Sequence, residues 1–90
     1  MTETIIFDER CACWTTDPTF NEAFLSMQER YFNGALTHYG YRYSNQFYEA
    51  YGVPWDPIEQ TNNCYLVQNG ELTFDYELFD NGTVIITIRQ

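Results

Sequence analysis

Residues Glu71-Leu72-Thr73-Phe74-Asp75-Tyr76-Glu77-Leu78 alternate strictly between polar and apolar side chains. A β-strand turns successive side chains to opposite faces, so Leu72, Phe74, Tyr76 and Leu78 share one face, and Glu71, Thr73, Asp75 and Glu77 share the other. The turn chemistry on either side then limits what this strand pairs with. Downstream, a two-residue Asn81-Gly82 turn would set Glu77 beside Ile86 and Asp75 beside Ile88, mixing the two faces. A three-residue loop Asp80-Asn81-Gly82 with Gly82 left-handed pairs Leu78 with Val84, Tyr76 with Ile86 and Phe74 with Ile88. The pattern selects the three-residue loop. Upstream, Asn69-Gly70 read as a type I′ turn pairs Val67 with Leu72 and Tyr65 with Phe74 on the same apolar face. The expected product is a three-stranded antiparallel meander whose apolar face needs a cover.

A long helix is the element large enough to supply that cover. Thr19-Phe20-Asn21-Glu22 has the capping-box form, and Phe20, Phe24, Met27, Tyr31 and Gly34 or Ala35 recur at helical spacing, flanked by Ala23, Leu25, Phe32 and Leu36 in a broad apolar face, up to an exit near Tyr39-Gly40. Ser44 is placed to cap a shorter helix, Asn45 to Tyr51, with Gly52 in the left-handed position after it, Pro54 stopping continuation, and Phe47, Ala50 and Tyr51 turned inward. Thr4-Ile5-Ile6-Phe7 reads as a short N-terminal strand, and Cys11-Ala12-Cys13-Trp14 as a second extended piece that would complete a hairpin. The fold class is α+β: a long helix packed on a three-stranded antiparallel meander, with a short second helix and a short N-terminal strand or hairpin. With 90 residues, dividing the chain would leave each half too small to bury a core, so residues 1–90 are expected to form one domain.

Charge narrows the function classes. Thirteen acids stand against four arginines and no lysine, a formal net charge of −9 that repels nucleic-acid phosphates and anionic lipid surfaces. No apolar run approaches the roughly 20 residues needed to cross a bilayer. The opening Met1-Thr2-Glu3-Thr4 lacks a basic region and a long apolar stretch, so a signal peptide is not read and a cytoplasmic setting is expected. There, the three cysteines stay as thiols.

Candidate chemistry is sparse. Cys11, Cys13, Cys64 and His38 are the residue types that tetrahedral zinc prefers, yet Cys-x-Cys is tighter than the usual gap of about two to four residues, which favours ordinary semi-buried cysteines. His38 is the sole histidine. At a helix end it is expected to help satisfy terminal carbonyls rather than to activate a thiol, because nothing local adds the positive charge that lowers a thiol pKa. Asp75 and Glu77 share a strand face, but on an open, solvated side that gives no means of splitting their pKa values for acid–base work. Glycine-rich phosphate loops, nucleophile elbows, EF-hand loops and metalloprotease helices are all missing from the sequence. The reading is therefore a protein that is not an enzyme, with no catalytic residue, cofactor or metal.

Two stretches are left as partner-binding candidates. Glu71, Asp75, Glu77 and Asp80 make an acidic face along one strand and its loop. Aromatic residues are 19% of the chain, more than a domain this small buries. Tyr41, Tyr43, Tyr48 and Trp55 concentrate around the short helix, and Tyr and Trp supply contact area at low entropic cost.

The segments Phe7-Asp8-Glu9, Cys11-Ala12-Cys13, Thr16-Asp17, Thr19-Phe20-Asn21-Glu22-Ala23, Tyr31-Phe32-Asn33 and Asn45-Gln46-Phe47-Tyr48-Glu49-Ala50-Tyr51-Gly52 resemble a family of short, functionally uncharacterised proteins of bacteriophages and prophages. The likeness covers residues 6–54, and the chain after Pro54 departs from it. It implies expression in a bacterial cytoplasm and carries over no catalytic residues. The expected function is an accessory protein that binds a host or phage protein, in its sharper form an inhibitor of a bacterial defence system acting through the acidic face. The alternative is a small homo-oligomeric structural or assembly component of the virion, closed through its aromatic surface.

Overall fold

A computed structural model of the chain describes residues 1–54 and 62–90. In chain order the elements are strand β1 (Thr2–Phe7), helix α1 (Pro18–Tyr39), strand β2 (Tyr41–Tyr43), helix α2 (Ser44–Tyr51), strand β3 (Cys64–Leu66), a 3-10 turn (Val67–Asn69), strand β4 (Thr73–Leu78) and strand β5 (Val84–Arg89). The class is α+β, with α1 and α2 set against a three-stranded antiparallel sheet and a separate two-stranded ribbon.

The β4–β5 hairpin has the register that the alternation demands, with Phe74 opposite Ile88, Tyr76 opposite Ile86 and Leu78 opposite Val84. Phe79 and Thr83 close the loop through a 2.9 Å backbone bond, and Gly82 at φ 87° supplies the left-handed step. The third strand of the sheet differs from the expectation. Its order is β1-β5-β4, with Ile5 opposite Ile86 and Phe7 opposite Val84, so the N-terminal strand fills the place expected for Tyr65-Leu66-Val67. Two causes act together. Val67–Asn69 curls into a 3-10 turn closed by Gly70 N–H to Val67 O, and Gly70 at ψ −178° leaves the type I′ geometry that a hairpin would need. Meanwhile β5 is a run of β-branched residues suited to the middle of a sheet, and β1 offers it Glu3, Ile5 and Phe7 on one face. The strand β3 pairs with β2 instead, Arg42 opposite Tyr65.

The N-terminal hairpin is also replaced. Cys11 to Trp14 are not extended. They form tight turns closed by Cys11 N–H to Asp8 O and Trp14 N–H to Cys11 O. This turn docks on α2, where Ala12 N–H donates to Gly52 O at 2.9 Å.

Helix α1 starts earlier than the Thr19 box indicates. Asp17 is the cap, its Oδ1 accepting from the backbone N–H groups of Thr19 and Phe20, and Pro18 takes the first turn where its missing N–H costs nothing. The helix ends at Gly40, left-handed at φ 86°. Its inward face is the flank of the expected broad stripe and not its centre. Asn21, Leu25, Phe32, Ala35 and Leu36 are buried, Phe24 is half-buried, and Phe20, Met27 and Tyr31 are exposed. The apolar stripe is wide enough to offer two overlapping faces, and packing against the sheet selects between them: Phe32 stacks on Phe74 with ring centroids 6.3 Å apart and meets Phe47 edge-on at 4.8 Å.

Helix α2 spans Ser44–Tyr51 with Phe47 and Tyr51 buried and Gly52 left-handed after it. Its cap is Tyr43 rather than Ser44, since Gln46 Oε1 accepts from Tyr43 N–H, while the Ser44 hydroxyl donates to Asn63 O. No helix among the described residues is long and apolar enough to cross a membrane.

Candidate functional site

Helix α1 is fastened to the sheet at one end of β4 more tightly than at the other. Asn33 clasps Leu72 from both sides, Nδ2 donating to Leu72 O at 3.1 Å and Oδ1 accepting from Leu72 N–H at 2.9 Å. One helical stretch nearer the N-terminus, Tyr76 Oη donates to Glu29 Oε2 at 3.0 Å, and burial together with that carboxylate pushes the phenol's pKa up. Beyond this point the first three turns of α1 stand off the hairpin, and a groove of about 610 Å³ opens between them.

The groove has an apolar floor of Leu25, Leu78, Phe79 and Val84, with Trp14 at one side. Leu78 is opposite Val84 as the register requires, yet 71% exposed, whereas the alternation placed it in the core. Its face of the strand is inward, but it lines the groove that separates the hairpin end from α1, so the side chain stays exposed. Phe79 is 44% exposed beside it. Trp14 is fixed by its indole N–H donating to Gly82 O at 2.9 Å. The α1 wall is held by buried Asn21, which accepts from Thr15 N–H and Oγ1 and donates to Thr15 O, tying the loop before the helix to its first turn. Glu22, Glu29 and Asp80 line the groove, and no lysine, arginine or histidine is among the described residues lining it.

Of the acidic residues read from the sequence, Asp80 belongs to this groove. Asp75 and Glu77 lie on the outer face of β4, away from α1, and β4 is an edge strand. Asp75 is bound by Arg89, its diagonal neighbour on β5, in an exposed pair that adds little stability. Glu77 is opposite Ile85, and Glu71 is exposed ahead of the strand.

The aromatic candidates divide. Tyr41 and Tyr43, 43% and 40% exposed, project from the outer face of the β2–β3 ribbon with ring centroids 5.4 Å apart. Exposed Leu66 is opposite Tyr41 and exposed Cys64 is opposite Tyr43. Tyr48 is half-buried, and its hydroxyl is committed to Glu3. Trp55 lies outside the described residues. The thiols of Cys11 and Cys13 donate to Ile6 O and Ala50 O, each at 3.4 Å, and burial pushes the Cys11 pKa up, which makes that thiol less reactive. Among the described residues no group of three or more His, Cys, Asp or Glu side chains is placed to hold a metal ion.

The sequence reading missed Glu3. It is 5% exposed and accepts from Tyr48 Oη at 2.7 Å, Asn63 Nδ2 at 2.7 Å and Tyr65 Oη at 2.9 Å. Burial alone raises a carboxyl pKa, but the hydrogen bonds led by Asn63, Tyr48 and Tyr65 outweigh it and hold Glu3 below the ordinary glutamate range. The signal was available: Glu3, Ile5 and Phe7 are at alternate positions and so share a face. This buried carboxylate joins β1, α2 and β3, and its bonds are all used within the fold.

Compared with protein-family models, with curated protein sequences and with solved structures, the chain gives no significant match.

Proposed function

We propose that this chain is a non-enzymatic accessory protein of a bacteriophage that acts in the bacterial cytoplasm by binding a host or phage protein, in its sharper form inhibiting a bacterial defence protein through an acidic surface. The observation that carries the reading is the uncompensated charge around the β4–β5 hairpin. Glu71, Glu77 and Asp80 are exposed, and the ion pairs among the described residues are Arg89 with Asp75 and Arg10 with Asp8, so none of the three is neutralised by one. With −9 overall, such a surface fits a partner with a basic groove and steers its approach. The phage origin rests on the resemblance read from residues 6–54 of the sequence. Affinity capture from infected cells tests the function, run with the wild type and with a Glu71→Gln, Glu77→Gln, Asp80→Asn variant. The expected result is a partner retained by the wild type, lost from the variant and released by salt; equal retention by both proteins contradicts it.

A second reading, a homo-oligomeric virion component, is favoured by the exposed Tyr41, Tyr43 and Leu66 on the β2–β3 ribbon. Light scattering across protein concentration separates the two. A monomer keeps the first reading, and an oligomer broken by Tyr41→Ala with Tyr43→Ala favours the second.

A further inference from the structure

We propose that the groove between the first three turns of α1 and the end of the β4–β5 hairpin is a docking site for an extended segment of the partner protein that carries large apolar side chains next to lysine or arginine. The inference rests on the protein-binding reading above and names the chemistry of what is bound.

Shape, floor and rim agree on this occupant. The lining residues of α1 run from Pro18 to Glu29, and at about 1.5 Å per residue that makes a trough roughly 16 Å long, the span of about five extended residues. Its floor is apolar: Leu25 and Val84 are buried at its base, and Leu78 and Phe79 are the exposed part. Leu78 lies on the inward face of its strand opposite Val84, yet is 71% exposed among the described residues. An apolar side chain seated on Leu78 and Phe79 removes that surface from water. The rim selects the sign of charge: Glu22 and Asp80 are exposed on opposite walls, Glu29 lies between α1 and Tyr76, and no cation among the described residues lines the groove to answer them. An acidic segment is repelled by this rim and a basic one is held.

Backbone amide shifts in a titration of the isotope-labelled chain test the site directly, using two synthetic peptides. One carries a Leu-Phe pair flanked by lysines, and the other is identical except for glutamates in place of the lysines. The lysine peptide is expected to shift the amides of Leu25, Leu78 and Phe79 and to bind at least about tenfold more tightly than its glutamate counterpart. Leu78→Ser, at an exposed position, should weaken the lysine peptide about fivefold or more while leaving the melting temperature unchanged. Glu22→Gln with Asp80→Asn should narrow the difference between the peptides. Shifts confined to residues outside the groove, no binding, equal affinity for the two peptides, or an unaltered affinity in Leu78→Ser would each overturn the proposal. Failure here is distinct from failure of the acidic-surface reading: a partner still lost from the Glu71→Gln, Glu77→Gln, Asp80→Asn variant, with neither peptide bound, removes the groove and keeps the surface.

Discussion

Tyr48 Oη donates a 2.7 Å hydrogen bond to Oε2 of Glu3, tying helix α2 to the first strand of the sheet. With Asn63 and Tyr65 donating to the other oxygen, the carboxylate is a fully hydrogen-bonded polar centre within the buried interior. Replacing it by alanine leaves those donors without an acceptor, so Glu3→Ala should cost about 2–4 kcal/mol in urea denaturation at neutral pH, well above a typical surface change.

The same group makes stability depend on pH in a defined direction. The folded carboxyl titrates below the unfolded one, so its contribution is complete above the ordinary glutamate range and is lost as pH falls through the folded value. Between about pH 5 and pH 2 the wild type should lose stability more steeply than Glu3→Gln. Denaturation curves at several pH values check this; parallel acid limbs in the two proteins contradict it.

Two glycines give opposite expectations. A Cβ on Gly52 would come 2.7 Å from Ala12 N and 2.8 Å from Cys13 N, at φ +74°, so Gly52→Ala strains the backbone and drives apart the turn and α2. A loss of about 2–4 kcal/mol is expected. Gly34 in α1 has open space around it, and Gly34→Ala should stabilise by about 0.5–1 kcal/mol through helix propensity. Thermal melts of the pair measure both.

The two ends of β4 should respond differently to truncation. Phe74 is buried and stacked on Phe32, so Phe74→Ala should cost about 3–5 kcal/mol. Leu78→Ala, at the uncovered end, should stay within about 0.5 kcal/mol of the wild type. A large loss at Leu78 would mean that α1 covers the hairpin end in solution.

What was legible in the sequence was local. The β4–β5 register follows from turn chemistry within three residues, and Gly40 and Gly52 mark helix ends because a left-handed step suits glycine. The third strand was not legible, since both Tyr65-Leu66-Val67 and Thr4-Ile5-Ile6-Phe7 present an apolar face to their neighbour, and a 3-10 turn at Val67–Asn69 decides between them. The inward face of α1 was hidden for a related reason: Phe20, Met27 and Tyr31 repeat as regularly as Leu25, Phe32 and Leu36. Glu3 was readable by alternation, but its partners Tyr48, Asn63 and Tyr65 are 45 to 62 residues away. The groove opens between α1 and the hairpin at the end of β4 opposite the Asn33–Leu72 clasp, a long-range arrangement that no local pattern contains.

The rate at which the captured partner associates, followed as ionic strength is raised, tests the proposed function most directly. Steering by Glu71, Glu77 and Asp80 predicts a rate that falls steeply with salt in the wild type, and one that is slower and nearly flat in the Glu71→Gln, Glu77→Gln, Asp80→Asn variant at unchanged fold stability. An association rate indifferent to salt, and equal in the two proteins, would contradict the account.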